Sequence, residues 1–303
     1  MTVAGRPTGQ DGVESVRQGL TGQAYLADEG LATAVYLAMT LRRALLLEGD
    51  AGVGKTEVAK AIAGWTGGEL IRLQCYEGID VAQALYEWDY SRQLLHLRAG
   101  EASHAAIEES ELYSERFLVR RPLLRALSSK AAVPPVLLID EVDRADDEFE
   151  ALLLEVLSDF AITVPEVGTF RAEVPPVVVI TSNRTRDLHD ALKRRCFYHW
   201  IGHPDFEHEL AIVKMRAPEV PELLARQVAA AVEHVRTMGL YKPPGVAETI
   251  EWAEALTALG SSGLEEHAVD MTLGAVLKYR EDQERVREGG LGALVDAAVG
   301  RSA

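Results

Sequence analysis

The sequence predicts an α/β fold in which a parallel sheet is sandwiched by helices and followed by an all-helical region. Three continuous apolar segments, "RALLLEGD", "PPVLLID" and "PPVVVITSN", have the composition of strands buried inside a parallel sheet. Each of them is followed by a segment with helical periodicity, as successive βα units require. Beyond about residue 204, helical periodicity continues without a convincing strand.

Composition and charge limit the classes of protein that fit the chain. Its 303 residues suit one large or two ordinary domains, and 48% of them are hydrophobic. The 31 Lys and Arg residues face 47 Asp and Glu residues, and the resulting net charge of −16 disfavours nucleic acid and anionic membranes as partners. The longest apolar stretch, 31–47, is interrupted by Arg42 and Arg43, so we expect no membrane insertion.

The two cysteines, Cys75 and Cys196, are not spaced as a CxxC pair. This usage favours buried, unreactive thiols in a reducing compartment, and we therefore expect a cytoplasmic protein.

The first half of the chain contains the following predicted elements. Residues 1–20 are rich in glycine and polar residues and predict a flexible tail. Residues 24–43 repeat alanine and leucine on one helical face, and the segment "TEVAKAIAGWTGG" places apolar residues at i, i+3, i+4 and i+7 before a Gly-Gly end. The alternation in "LIRLQC" predicts a strand, residues 80–98 a helix, and residues 101–112 an acidic variable segment.

The second half begins with the strand "PPVLLID" and a helix in "EFEALLLEVLSD", which has five apolar residues on one face. A hairpin around the Val-Gly pair of "AITVPEVGTFRAEV" follows, and then the strand "PPVVVITSN". A helix over 186–195 and a strand in "CFYHWI" end this part. Four further helices are predicted at 205–216, 221–238, 246–259 and 265–288. The predicted organisation is a tail at 1–20, an α/β nucleotide-binding domain at 21–203 and a helical domain at 204–303.

The segment "GDAGVGKT" matches the pattern GxxxxGK[ST] between a strand and a helix, which is the context that a phosphate-binding loop needs. Glycines let the backbone N–H groups point at phosphate oxygens, and the helix N-terminus adds positive potential. Lys55 would reach the β- and γ-phosphates, and the Thr56 hydroxyl would bind Mg²⁺. The sequence therefore predicts ATP and Mg²⁺ as cofactors, with Thr56 and Asp140 at the metal. The predicted nucleotide-binding residues are Gly49, Asp50, Ala51, Gly52, Val53, Gly54, Lys55, Thr56 and Asp140.

Polar residues end two of the buried strands and complete the predicted catalytic set. Asp140 ends "VLLID" and would hold Mg²⁺ and its waters, while Glu141 could orient or deprotonate the attacking water. Asn183 ends "VVVITSN", where a side-chain amide can sense the γ-phosphate and position water. Because both residues serve attack by water, they favour an ATP-hydrolysing enzyme over a scaffold with little turnover.

Together these motifs resemble the AAA+ ATPases, and longer stretches resemble the MoxR family in its CoxD-like branch, which serves carbon monoxide dehydrogenase maturation. Those stretches include "YEWDYSRQLLHLR", "TSNRTRDLHDALKRRCFYHWI" and "YKPPGVAETIEWAEAL". The resemblance implies an AAA+ core with a helical lid, a hexameric ring with ATP between subunits, and inserts near 79–98 and 161–173. It also implies a von Willebrand A-domain partner and a metalloenzyme client of the molybdenum hydroxylase type.

The basic cluster Lys193-Arg194-Arg195 ends the predicted helix 186–195. Basic residues suit a helix C-terminus, which is the simpler interpretation. The resemblance implies instead that Arg195 is an arginine finger for the neighbouring subunit, with Arg194 as the second candidate. A helix of that length would carry Arg195 roughly 15 Å from its own phosphates.

Two questions stay open on the sequence alone. The resemblance implies a second sensor arginine early in the lid, but the chain has "YKPPGVAET" there, with Lys242 just before it. A DNA-handling AAA+ motor of the branch-migration or loader type is the alternative function, and the acidic charge counts against it.

Overall fold

The computed structural model of the chain describes residues 10–104 and 107–302. Its helices are α1 (Gln10–Thr21), α2 (Glu29–Leu41), α3 (Lys55–Thr66), α4 (Val81–Ala84), α5 (Tyr90–Ser103), α6 (Glu109–Leu112), α7 (Pro122–Leu127), α8 (Asp147–Asp159), α9 (Asp190–Lys193), α10 (Phe206–Arg216), α11 (Glu222–Arg236), α12 (Val246–Ala258), α13 (Glu266–Val276), α14 (Arg280–Glu288) and α15 (Leu291–Ser302). Its strands are β1 (Ala44–Gly49), β2 (Leu70–Gln74), β3 (Tyr86–Trp88), β4 (Leu118–Arg120), β5 (Val136–Asp140), β6 (Ala161–Val164), β7 (Gly168–Arg171), β8 (Val177–Ser182) and β9 (Cys196–Ile201).

A five-stranded sheet with the order β2-β5-β8-β1-β9 forms the centre of the α/β part. Strands β2, β5, β8 and β1 pair in parallel, with Gln74 opposite Asp140 and Glu48 opposite Ser182. Every residue of β5 is buried, which explains its unbroken run of apolar residues. The parallel sheet with flanking helices, followed by a helical region, confirms the predicted fold class.

Several helices begin at an aspartate that caps the free backbone N–H groups of the first turn. Asp28 accepts from Leu31 N–H at 2.6 Å at the start of α2, and Asp146 accepts from Phe149 N–H at 2.9 Å at the start of α8. The cap at Asp28 places the start of α2 later than the periodicity of the sequence suggests. In particular, α2 begins at Glu29, not near residue 24.

The predicted flexible tail is wrong for its second part, because α1 forms over Gln10–Thr21. Its buried residues Val16 and Leu20 lie four positions apart and therefore share one face, and Gly19 lies against the indole of Trp65. Residues 1–9 of the predicted tail lie outside the described residues.

The single helix predicted at 80–98 is also wrong. The segment forms α4, then β3, then α5, which continues to Ser103. Strand β3 pairs with β4 in antiparallel orientation, with Tyr86 opposite Arg120, and this long-range pairing leaves no periodic signal in the local sequence. The predicted hairpin at 161–173 is confirmed, since β6 and β7 pair with Ile162 opposite Phe170.

The helix predicted at 186–195 is reduced to α9, Asp190–Lys193. The preceding loop is fixed by the buried Asp143 carboxylate, which accepts from Asn183 N–H at 3.2 Å and from Thr185 N–H at 2.8 Å. Within the predicted helix, His189 N–H donates to the Glu150 carboxylate at 2.9 Å, and Arg186 Nε donates to the Ala145 carbonyl at 3.0 Å. The long helix that was expected to carry Arg195 away from its own site is therefore not formed.

The C-terminal helices surround their own core, which includes the fully buried Trp252. Helices α10, α11 and α12 lie close to their predicted positions. The segment predicted as one helix at 265–288 forms α13 and α14, and α15 follows without having been predicted.

The chain divides into two compact units. The first unit holds Asp28–Glu48 and Thr56–Trp200, with the described residues up to Gly19. The second holds Leu20–Ala27, Gly49–Lys55 and the chain from Ile201 onward, so it includes the phosphate-binding loop. No helix among residues 10–104 and 107–302 has the length and apolar character that crossing a membrane requires.

Candidate active site

The phosphate-binding loop depends on glycines that adopt left-handed backbone conformations. Gly52 has φ = 82° and Gly54 has φ = 94°, values that residues with a Cβ rarely adopt. The side chain of Lys55 is buried and folds back over the loop, and its Nζ donates to the carbonyl oxygens of Gly49 at 2.8 Å and Asp50 at 2.6 Å. The loop thus has the shape that a phosphate chain needs, with the ammonium group inside it.

In the second unit, the start of α12 contacts the phosphate-binding loop directly. Val246 donates its backbone N–H to the Gly52 carbonyl at 3.0 Å. A Cβ on Gly245 would lie 2.7 Å from Gly52 Cα, so this close approach requires glycine. The Glu248 carboxylate accepts from Gly245 N–H at 3.0 Å. A Cβ on Gly52 would lie 2.9 Å from Glu248 Oε2, so an acidic side chain lies beside the loop where the resemblance implies a second sensor arginine.

A buried polar cluster holds the segment that precedes α12. Arg236 donates to the Pro244 carbonyl at 2.9 Å and to both carboxylate oxygens of Glu209, to Oε1 at 2.8 Å. Glu209 is fully buried, and Thr249 also donates to it at 2.6 Å. Burial raises the pKa of Glu209, and the hydrogen bonds from Arg236 and Thr249 oppose that effect. Lys242 lies elsewhere, with its Nζ 5.9 Å from the centre of the Tyr279 ring.

In the first unit, Asp140 ends β5 and is held by two hydroxyl groups. Thr56 and Thr181 donate to its Oδ1 at 3.0 Å and 2.6 Å, respectively. Asp140 is 2% exposed. The structure therefore brings together Thr56 and Asp140, the two residues that the sequence assigns to the metal.

The second oxygen of Asp140 is bound by Arg72, a residue that the sequence analysis missed. Arg72 Nε donates to Asp140 Oδ2 at 3.0 Å, and Nη2 donates to the same oxygen. The alternation of "LIRLQC" places Arg72 and Gln74 on the polar face of β2, which was a usable signal. The pairing of β2 with β5, which brings Arg72 beside Asp140, was not predictable from that pattern alone.

Glu141 has the positive φ of 55°, an uncommon conformation for a residue with a side chain. Its backbone N–H donates to Thr181 Oγ1 at 2.9 Å, so one buried threonine fixes both acidic residues. Its carboxylate Oε2 accepts from Gln74 Nε2 at 3.1 Å and from Arg144 Nη1 at 3.3 Å. The carboxylate is only half-buried and carries two donors from the chain itself.

Asn183 follows β8, next to β5 in the sheet, so the two polar strand ends lie at the same edge. The Asp143 carboxylate accepts from the Asn183 backbone N–H. The Asn183 side chain is half-buried, and the preceding residue, Ser182, is buried. Asp143 and Thr181 were missed by sequence analysis, because a buried polar residue inside an acidic or apolar run gives no separate signal.

Arg195 is exposed and lies at the end of the short helix α9. Its Nε donates to Ser158 Oγ at 3.1 Å, and its Nη1 donates to the Ala191 carbonyl at 3.3 Å. Arg43 donates to the backbone carbonyls of both Arg194 and Arg195, to the latter at 3.2 Å. The structure thus does not bring Arg195 into the group formed by Asp140 and Glu141.

Burial shifts the pKa of one histidine and of two cysteines. Burial, followed by repulsion from Arg236, lowers the pKa of His203, whose Nε2 lies 3.6 Å from the Asp50 carboxylate. Burial raises the pKa of Cys75 and of Cys196 to about 12. Both cysteines are free and buried, so the predicted burial is confirmed.

The geometry fits a magnesium nucleotide. The Thr56 hydroxyl and the Asp140 carboxylate supply oxygen ligands of the type that Mg²⁺ prefers, within hydrogen-bonding distance of each other. In the second unit, the loop glycines and the Lys55 ammonium group suit phosphates.

Comparison with known proteins identifies the family of the chain. A family model described as "AAA domain (dynein-related subfamily)" matches residues 44–196. No curated protein matches the chain. Solved structures with similarity include the RuvB Holliday junction branch migration motor of Thermotoga maritima, 17% identical over 92% of this chain and 74% of that one, with a TM-score of 0.45. A proposed ATPase from Cytophaga hutchinsonii is 13% identical over 94% of each chain, with a TM-score of 0.46.

The family match covers both sequence motifs and the strands that carry them, so ATP and Mg²⁺ are the cofactors and ATP hydrolysis is the reaction. The chain belongs to the AAA domain family, in its dynein-related subfamily, and is an ATPase.

Proposed function

We propose that this ATPase is a remodelling enzyme of MoxR type that assists the maturation of a metalloenzyme together with a von Willebrand A-domain protein. The phosphates bind at Gly49–Thr56, and Thr56 and Asp140 hold the metal. Magnesium supplies neutralisation of the phosphate charge during transfer. Side chains of the protein itself carry out the remaining roles in ATP hydrolysis.

Glu141 accepts the proton of the attacking water, and Asn183 orients that water toward the γ-phosphate. Two features support these roles. Glu141 is held beside Asp140 by the shared hydroxyl of Thr181, and Asn183 follows the strand adjacent to β5. For Glu141 to act as a base, its carboxylate has to exchange the Gln74 and Arg144 contacts for water.

The subunits assemble into a hexameric ring in which Arg195 acts at the neighbour's site. AAA proteins commonly form rings, and an exposed guanidinium suits an action between subunits. Its present contacts, to Ser158 and to a backbone carbonyl, are single hydrogen bonds that a phosphate can replace.

The observation that carries the remodelling function is an exposed apolar surface on α5. Tyr90, Leu94 and Leu95 are 68%, 50% and 66% exposed, respectively. This surface belongs to the insert that interrupts the α/β core and contributes no residue to the site described above. Tyr90 and Leu94 lie one helical turn apart, and a contiguous exposed apolar patch is typical of a contact surface for another protein.

The test is a binding assay with a purified von Willebrand A-domain protein from the same organism. The double variant Leu94→Asp/Leu95→Asp should lose the complex and any stimulation of ATPase activity by the partner. Its basal ATP hydrolysis should stay at the wild-type rate. The matched control is Met271→Asp, since Met271 is 63% exposed on α13 and lies outside the insert.

Equal partner binding by the double variant and the wild type would contradict the proposed surface. Salt-sensitive binding of duplex DNA would instead favour the DNA-motor alternative, because phosphate contacts weaken steeply with salt.

A further inference from the structure

Both carboxylate oxygens of Asp140 accept hydrogen bonds from other residues of the protein. Its Oδ1 accepts from the hydroxyls of Thr56 and Thr181, and its Oδ2 accepts from two nitrogens of Arg72. A buried carboxylate without a cation is costly, and here the guanidinium supplies the compensating charge.

The two partners differ in exposure. The Arg72 side chain is 52% exposed, whereas that of Asp140 is 3% exposed. Arg72 lies on the polar face of β2, whose Gln74 is in register with Asp140. The cation can therefore turn away into solvent without disturbing the sheet, while the carboxylate has to stay where it is.

We propose that Arg72 is a built-in counter-ion of Asp140 that occupies this carboxylate in the nucleotide-free protein and competes with Mg²⁺ for it. This inference rests on the proposed metal role of Asp140. Arg72 thereby sets the Mg²⁺ concentration at which the site loads, and it keeps the buried charge compensated when the site is empty.

Arg72 also reaches the catalytic glutamate through one intermediate residue. Its Nη2 donates to Gln74 Oε1, and Gln74 Nε2 donates to Glu141 Oε2 at 3.1 Å. The contact with Arg72 thus fixes which end of the Gln74 amide faces Glu141. Withdrawal of Arg72 from Asp140 removes that constraint, so metal loading and the state of Glu141 are linked.

The experiment is a Mg²⁺ titration of the full chain in the presence of AMP-PNP, with thermal unfolding as the readout, so that no turnover is needed. In Arg72→Met the Mg²⁺ concentration that gives half-maximal stabilisation should fall by about three- to fivefold, the range expected for one partly exposed ion pair. The metal-free variant should also unfold at a lower temperature than the metal-free wild type. Arg72→Lys should restore values close to those of the wild type.

The matched control is Arg125→Met, because Arg125 is 55% exposed and pairs with Glu69 outside the site. This control should leave the Mg²⁺ midpoint unchanged. A midpoint for Arg72→Met that is unchanged, or that moves to higher Mg²⁺, overturns the proposal.

Asp140→Asn separates this inference from the proposed function. If Asp140→Asn keeps the wild-type Mg²⁺ dependence, the metal role of Asp140 fails, and the inference fails with it. If Asp140→Asn loses that dependence while Arg72→Met leaves the midpoint unchanged, only the role of Arg72 fails.

Discussion

Gln74 donates a hydrogen bond from its side-chain amide to the carboxylate of Glu141, with Nε2 and Oε2 3.1 Å apart. Arg144 contacts the same oxygen at 3.3 Å. A carboxylate oxygen that already accepts from two donors is less available to a water molecule. The structure therefore shows Glu141 in a restrained state.

We expect Gln74→Ala to raise the basal rate of ATP hydrolysis, by about two- to fivefold, because one hydrogen bond to a charged group is removed from Glu141. Steady-state phosphate release at saturating ATP measures this. The control is Gln18→Ala, which removes an exposed Gln–Glu contact of 2.8 Å on α1. A lower rate in Gln74→Ala would mean that Gln74 positions the glutamate for catalysis and does not restrain it.

Glu141→Gln should retain ATP and lose hydrolysis, by about 10²- to 10⁴-fold, because the phosphate loop is intact while the general base is absent. Fluorescent-nucleotide binding and phosphate release separate the two effects. Glu155→Gln, at an exposed position of α8, is the control and should behave as the wild type. Unchanged hydrolysis in Glu141→Gln would remove the catalytic role of this residue.

Motif residues and core strands were predictable from the sequence because their signals are local. The glycines of the loop, the run "VLLIDE" and the asparagine after β8 need only a strand and a turn to be understood. Arg72, Gln74 and Thr181 were not predictable, since each acts through a neighbouring strand whose position follows from sheet order. The pairing of β3 with β4 was not predictable for the same reason.

Helix ends were the other source of error. Periodicity suggested a helix over 186–195, but it does not reveal that Glu150 accepts from His189 N–H and that Arg186 donates to the Ala145 carbonyl. The helix therefore begins only at Asp190. The polar composition of 1–20 suggested a tail, but an amphipathic helix forms within it. A few apolar residues on one face are enough for such a helix to pack against the core.

Gly245→Ala should weaken ATP binding and lower the unfolding temperature. The added Cβ would lie 2.7 Å from Gly52 Cα, so either α12 or the phosphate loop has to move. Such overpacking typically costs about 1–3 kcal/mol of stability. Nucleotide titration and thermal unfolding measure the two effects. In contrast, Gly300→Ala meets no atom within 4 Å and should be neutral or slightly stabilising. Wild-type ATP affinity in Gly245→Ala would show that this contact does not shape the loop.

His203 should make the protein less stable in mild acid. Burial lowers its folded pKa below the ordinary value of 6.5, so the unfolded chain binds more protons than the folded one as pH falls. Its buried Nδ1 has no hydrogen-bond partner among the described residues, in agreement with a neutral ring. Stability from this residue is complete above pH 6.5 and is lost as pH falls through the lowered pKa.

Urea unfolding at pH 7.5, 6.5 and 5.5 measures this dependence. His203→Asn should flatten it, while His267→Asn, at an exposed position of α13, should leave it unchanged. Identical pH slopes in the wild type and in His203→Asn would contradict the proposed role of this histidine.

Arg195→Ala should bind ATP normally and hydrolyse it roughly 10³-fold more slowly, the lower range found for arginine fingers that stabilise the transferring phosphoryl group. This expectation does not need a long helix: Arg195 is exposed, its backbone carbonyl is fixed by Arg43, and its guanidinium donates one hydrogen bond each to Ser158 and Ala191. Mixing Arg195→Ala with Glu141→Gln subunits should restore part of the activity, because a site with an intact Glu141 can receive Arg195 from its neighbour.

Arg194→Ala is the comparison, since that side chain is also exposed and lies one residue earlier. Wild-type turnover by Arg195→Ala, with a large loss in Arg194→Ala, would assign the finger to Arg194; wild-type turnover by both would leave Lys193, Arg194 and Arg195 as charges that favour the end of a short helix.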